Sequence, residues 1–350
     1  MTEYYIQKKL WLENSAQKGK SLEQIYEHAN ERQLKLIEKC FEACIKVLEE
    51  NGQLNKDDNR FIIQLNEIFY SIDISTPEDM KNLRNKLCTL LEKKPLHISD
   101  GGVKSKERAY YKIQNQFMGQ SDRIDDVNRV TILSDDYELV QNFMNKFNSL
   151  FKERDLSPKK EWTIQSYGLL SKSNDVLIDG YPAEVHINET GQHILSQAIT
   201  HKVYEVLRLS ENDANFTKCY EDLPLNAVKS SIKQAKNMSP KQKILIYHLL
   251  KDLYKVVRKN RYKNNFNKRE SLMEYHRRAH QIFMCIADKK WIDIYCAAME
   301  NYNKKNRENN LEELQIEPLL KKRYKNTDKR FGFLKSIWYM KTKKGENYGR

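Results

Sequence analysis

The spacing of apolar residues changes twice along this chain, and that change restricts the folds open to it. Up to about residue 95 the spacing is three and four. "SLEQIYEHANERQLKLIEKCFEACIKVLEENG" places Leu22, Ile25, Leu34, Ile37, Phe41, Cys44, Ile45 and Leu48 on one helical stripe and stops at Asn51-Gly52. A second helix is predicted from about Asp58 to Ile72. A third begins at "STPEDM", where Thr76 serves as N-cap and Pro77 takes the first helical position. This region reads as a helical bundle without chemistry.

The period then falls to two. A short basic helix is predicted from Lys104 to Gln116, followed by an alternating, β-branched strand "DVNRVTIL", Asp126 to Leu133. Asp135 to Arg154 is an amphipathic helix, and "WTIQSYGLLS", Trp162 to Ser171, is a strand. Asp179-Gly180 suits a tight type I′ turn between "VLI" and "YPAEVHINE". In that last strand Ala183, Val185 and Ile187 face one way, and Glu184, His186 and Asn188 the other. Helical spacing returns with "GQHILSQAITHKVYEVLRLS" and persists beyond about Asp222. The fold class is therefore α+β and mostly helical. A small mixed α/β core at residues 99–210 lies between helical regions 1–98 and 211–350.

Composition narrows the partners. The chain has 350 residues, 39% of them hydrophobic, and a formal charge of +13, which favours nucleotides, RNA or an anionic membrane surface. No apolar run approaches the roughly eighteen residues of a membrane span, and the first residues lack the order of a secretory signal. The six Cys form no CxxC pair, as expected of reduced thiols in a cytoplasmic protein. Delivery into a target cell by a non-classical route stays open. Lys255 to Arg269 and Lys321 to Arg350 interleave cations with aromatic residues, which suits phosphate contact and base stacking, or equally a solvated helix face and terminus.

The densest set of functional residue types is in the α/β segment. Lys104, Arg108 and Lys112 recur every four residues, on one face of a helix about three turns long. Cations so placed need either water or a shared anion such as a triphosphate. Arg129 and Thr131 share a face of an otherwise apolar strand, so Arg129 needs a partner or a ligand. Glu184 is one such partner; it is also able to join Asp126 around Mg²⁺, an ion that takes one or two carboxylates plus phosphate oxygens. His201, Glu205 and Arg208 share a helix face, as a structural pair or as acid–base groups. His276 and His280 have metal-capable spacing without a third ligand nearby, and no Walker A loop, GxGxxG or GxSxG occurs.

Taken in order, "VKSKERAYYKI", "SDRIDDVNRVTIL", "EVHI" and "THKVYEVLR" resemble the RelA/SpoT-like nucleotidyltransferase domain, in the branch found in toxins and phage-associated proteins. The resemblance spans roughly residues 102–208. It implies an enzyme, a Mg²⁺-dependent pyrophosphokinase that moves the β,γ-diphosphate of ATP onto the 3′-hydroxyl of a nucleotide or tRNA and releases AMP. Asp126 and Glu184 would then be catalytic and hold Mg²⁺. Lys104, Arg108 and Lys112 would contact ATP phosphates, and Arg129 would brace them. Tyr167 would stack on the acceptor base, and His186 would orient substrate. The sequence departs from the family pattern at Gly102, where an Arg is usual, at Arg108 for Ser, at His186 for Gln, and at Ser166-Tyr167 for Gly-Tyr.

The resemblance further implies a toxin or secreted effector, with an antitoxin as a possible protein partner. No His-Asp hydrolase motif is visible in the N-terminal helices. Two other functions fit the same residues. One is transfer of AMP to a protein, with His201 and Glu205 as acid and base. The other is an inactive fold that binds RNA or membrane through its basic helices.

Overall fold

The computed structural model describes residues 3–54, 59–70, 74–165, 167–197, 244–246, 248–249, 268–311 and 313–314. Five helices come first: α1 (Glu3–Glu13), α2 (Leu22–Tyr26), α3 (Ala29–Glu50), α4 (Asn59–Tyr70) and α5 (Pro77–Leu91). Thr76 caps α5 as predicted, in a reciprocal pair with Asp79. The single helix expected after Ser21 is instead two. His28 takes the left-handed conformation (φ 57°), and the buried Arg32 turns back to donate to the carbonyls of Ile25 and Glu27. Those carbonyls lose their helical partners at the break, and the guanidinium replaces them. It also stacks 4.1 Å over the Tyr181 ring.

The sheet has six strands: β1 (Leu96–Val103), β2 (Asn128–Ser134), β3 (Thr163–Ile164), β4 (Leu170–Ser173), β5 (Val176–Ile178) and β6 (Tyr181–Glu189). Its order is β1-β2-β6-β4-β3, with β5 paired to β6. Only β2 and β6 run parallel; the other pairs are antiparallel. Strand β1 goes unanticipated because its alternation fails at Gly101-Gly102, where the ladder with β2 slips. The strand expected over Trp162 to Ser171 folds back on itself at Gly168 (φ 94°) and becomes β3 and β4. The Asp179-Gly180 turn has φ 51° and 81°, the signature of type I′.

Helices α6 (Lys106–Gln116) and α7 (Tyr137–Asn148) flank β2, and α8 (Thr190–Leu195) follows β6. The sheet face bearing Ile98, Val130, Ile132, Ala183, Val185 and Ile187 is buried against α3, α5 and α7. Each such side chain contributes about 1.5–3 kcal/mol on full burial. The same core continues into α10 (Lys289–Glu308), whose Trp291 meets Tyr137 and Trp162 edge-on, at 5.2 and 5.3 Å between centroids. It therefore draws on residues from the N-terminal helices, the sheet and the C-terminal helices alike.

On α9 (Lys268–Met284), His276 and His280 are buried, and burial pushes both down to about 3, so they are neutral. His280 shares a hydrogen bond with Gln192. Among the described residues no helix is long and apolar enough to cross a membrane, and the five described cysteines are free.

Candidate active site

The opposite face of the sheet carries the polar residues. Strands β2 and β6 run side by side with Arg129 level with Glu184 and Thr131 level with His186. Arg129 is positioned by an unusual device. At the β1 bulge its backbone loses its ladder partner, and the side-chain amide of Gln33 takes that place. Gln33 Oε1 accepts from Arg129 N at 3.1 Å, and its Nε2 donates to Arg129 O at 2.8 Å. Gly101 packs here because an added Cβ would come within 2.8 Å of Arg129 Cγ and carbonyl oxygen. Arg129 Nε donates to Gly101 O at 3.2 Å, and among the described residues Arg129 forms no ion pair with Glu184.

Lys104 does not lie on the helix. Ser105 caps α6, so Lys104 precedes it, its N–H donating to Val127 O just before β2 and its own carbonyl held by the Tyr26 hydroxyl. Its ammonium nevertheless meets that of Lys112, because both bind Asp126 Oδ2, Lys112 at 3.1 Å. Lys112 also lies 3.2 Å from Asp125 Oδ1. Arg108 keeps its place one turn before Lys112 and is exposed. For Lys104 and Lys112 the shared anion is thus, here, the protein's own Asp126, with Asp125 also on Lys112.

The chain of charges continues. Asp125 Oδ2 binds Lys8 Nζ at 2.6 Å, and Lys8 reaches Asp175 Oδ2 at 2.8 Å. From Asp175 through Lys8, Asp125, Lys112 and Asp126 to Lys104, signs alternate without interruption. Glu184 sits beside it, paired with His186 Nε2 at 3.0 Å and within electrostatic reach of Asp125 and Lys112. Burial opposes its charge, but His186 outweighs that and lowers Glu184 to about 2. His186, conversely, is half-buried, and although burial disfavours its charge Glu184 raises it. Burial also disfavours the charge of Lys112, but Asp125 and Asp126 reverse the shift upward. For Lys104 burial prevails and its affinity for the proton falls.

No protein family matches the chain, and no curated protein matches it in sequence. A solved structure is similar to it. It is the crystal structure of the complex between the Type VI effector Tas1 and its immunity protein, 13% identical, covering 63% of this chain and 94% of that chain at a TM-score of 0.28. A likeness of that size carries no argument about activity.

Among the described residues Asp126 and Asp175 are the buried carboxylates with an oxygen left over that could serve a divalent ion. Asp126 Oδ1 is buried and has no hydrogen-bond partner among the described residues, and neither has Asp175 Oδ1. Three-carboxylate or histidine cages do not occur among the described residues, so phosphate oxygens and water would complete the shell. Tyr167 lies at the other end of β4, its ring centroid 6.0 Å from that of His280. His201 and Glu205 fall outside the described residues, as do the basic tail and most of the basic segment at 255–269.

Sequence reasoning missed Lys8, Asp175 and Gln33. The N-terminal region read as a bundle without chemistry, yet α1 delivers Lys8 into the cluster. The stretch after it grips the loop before Asp125: Gln17 Nε2 donates to Ile124 O, and Gly19 N to Asp122 Oδ2. A lysine in a weakly amphipathic helix carries no signal of its destination. Asp175 held a faint one, an acidic residue just before the apolar "VLI".

Proposed function

We propose that this chain is a Mg²⁺-dependent pyrophosphotransferase that uses ATP as donor and a nucleotide or tRNA 3′-hydroxyl as acceptor. The observation that carries the reading is the convergence of Lys104 and Lys112 on Asp126, whose second oxygen lacks a partner among the described residues, with Glu184 within electrostatic reach of Lys112. Lysines neutralised by aspartates are released to phosphate when an ion binds those aspartates, so metal and triphosphate would load together. Mg²⁺ would be held by Asp126 and Glu184 and would supply charge neutralisation on the phosphate oxygens. Lys104, Lys112 and Arg108 bind the triphosphate, and Arg129 braces Glu184 or the acceptor. The acceptor oxygen bonds to the β-phosphorus as that atom's bond to the AMP oxygen breaks, with the hydroxyl proton passing to solvent. In this reading the protein is a toxin or effector, with an antitoxin as partner.

The test is incubation with α- or γ-labelled ATP, Mg²⁺ and nucleotide or tRNA acceptors. Label from the γ position on an acceptor, lost in Glu184→Gln, is the expected result. Label from the α position on a protein supports AMP transfer instead. Movement of neither label overturns both.

A further inference from the structure

The most unusual member of the charge chain is Lys8, because it comes from a helix that the rest of the site does not need. Its ammonium lies between Asp125 and Asp175, and its side chain is 15% exposed. Helix α1 is otherwise lightly held. Trp11 is its one buried residue, and Tyr5, Ile6 and Leu10 stand 62%, 49% and 54% exposed. The segment behind it is pinned, with Ser15 and Gln17 buried and Ala16 N donating to Gly180 O at 2.8 Å. The helix is thus a short arm on a fixed base, anchored at its free side mainly by Trp11 and one lysine.

We propose that α1 is an autoinhibitory strap. Its Lys8 ammonium ties Asp125 to Asp175, next in the charge chain to the proposed Asp126 ion site, so that a divalent cation and its nucleotide load only when α1 lifts. Two facts support displacement. Among the described residues Asp126 Oδ1 and Asp175 Oδ1 are buried without partners, so the lysines leave carboxylate oxygens unused that an ion would take. And Asp125, Asp175 and Glu184 repel one another, so a site without Lys8 demands another cation. A doubly charged ion is the natural competitor for a singly charged amine held by so small an apolar contact. The proposal rests on the pyrophosphotransferase reading for its consequence, but not for its geometry.

The test uses the full chain and Mn²⁺ as probe, followed by the electron paramagnetic resonance of free ion. Lys8→Met is expected to bind Mn²⁺ about tenfold more tightly than wild type, and Lys8→Arg to bind as wild type does. Should Lys8→Met fold poorly, Lys8→Gln removes the charge, keeps a donor to the aspartates and leaves every carboxylate in place, and it carries the same comparison, with circular dichroism confirming the fold. Equal or weaker Mn²⁺ affinity in the folded variants overturns the strap. The labelled-ATP assay separates the two ideas. Tighter Mn²⁺ binding without transfer in any variant keeps the strap and sinks the enzyme; unchanged binding with transfer by wild type does the reverse.

Discussion

The Nζ of Lys112 lies 3.1 Å from Oδ2 of Asp126, joining the middle of α6 to the loop that starts β2. Lys112 is also the link between Asp126 and Asp125. Lys112→Met leaves those carboxylates and Glu184 with one cation fewer. Breaking a buried pair costs about 3–5 kcal/mol, and with side chains up to 20% exposed the lower part of that range applies. Urea denaturation measures the loss, and equilibrium binding of ATP is expected to weaken with it. Unchanged stability would show that the lysine is merely surface charge.

The Glu184–His186 pair sets a pH window. Glu184 is lowered from 4.5 to about 2, so its contribution is complete above pH 4.5 and is lost as pH falls toward 2. His186 is raised from 6.5, so its contribution is complete below pH 6.5 and is lost as pH rises through its folded value. The melting temperature of wild type minus that of His186→Gln is therefore expected to peak between pH 4.5 and 6.5. A difference flat across pH 3 to 9 would remove the ion pair from the account.

Glu189 behaves oppositely. Burial first, and then the Asp135 charge, push it from 4.5 up to about 8, while its Oε2 accepts from Gln192 N at 2.6 Å to cap α8. A raised carboxyl binds its proton more tightly when folded, so stability declines as pH climbs from 4.5 through 8. Glu189→Gln keeps an acceptor for the cap and no longer ionises. Relative to wild type it is expected to gain stability over that interval, by at most about 1.4 kcal/mol per pH unit. Denaturant titrations at pH 5, 7 and 9 check this.

Gln33→Ala strips the bulge of its substitute ladder partner and leaves the N and O of Arg129 and the amide of Asn128 short of a hydrogen bond. Each unsatisfied buried group costs about 1–3 kcal/mol. The Arg129 amide is expected to exchange its hydrogen faster by one or more orders of magnitude. Exchange at the wild-type rate would mean that water or Asp100 serves equally well.

Legibility in the sequence followed the range of the interactions involved. The Asp179-Gly180 turn, the Thr76 cap and the two faces of β6 were readable because each depends on φ preferences or a period within a few residues. Arg108 and Lys112 were placed on one face for the same reason, while Lys104 was misplaced because the helix starts two residues later, at Lys106, with Ser105 as its cap. The break at His28 escaped notice because it is sustained by Arg32 and by Tyr181 from a distant hairpin.

By itself, then, the amino-acid order determined most of the helices, the tight turn, and which side chains on each element are polar or apolar, since local sterics and periodicity suffice for those. Only the tertiary structure decided that Arg129 lies level with Glu184, that Gln33 completes a broken strand ladder, and that Lys8 bridges Asp125 to Asp175, 167 residues away. Those relationships are made by charges and backbone groups that must be satisfied once the core buries them, and no local pattern specifies which distant residue will do so.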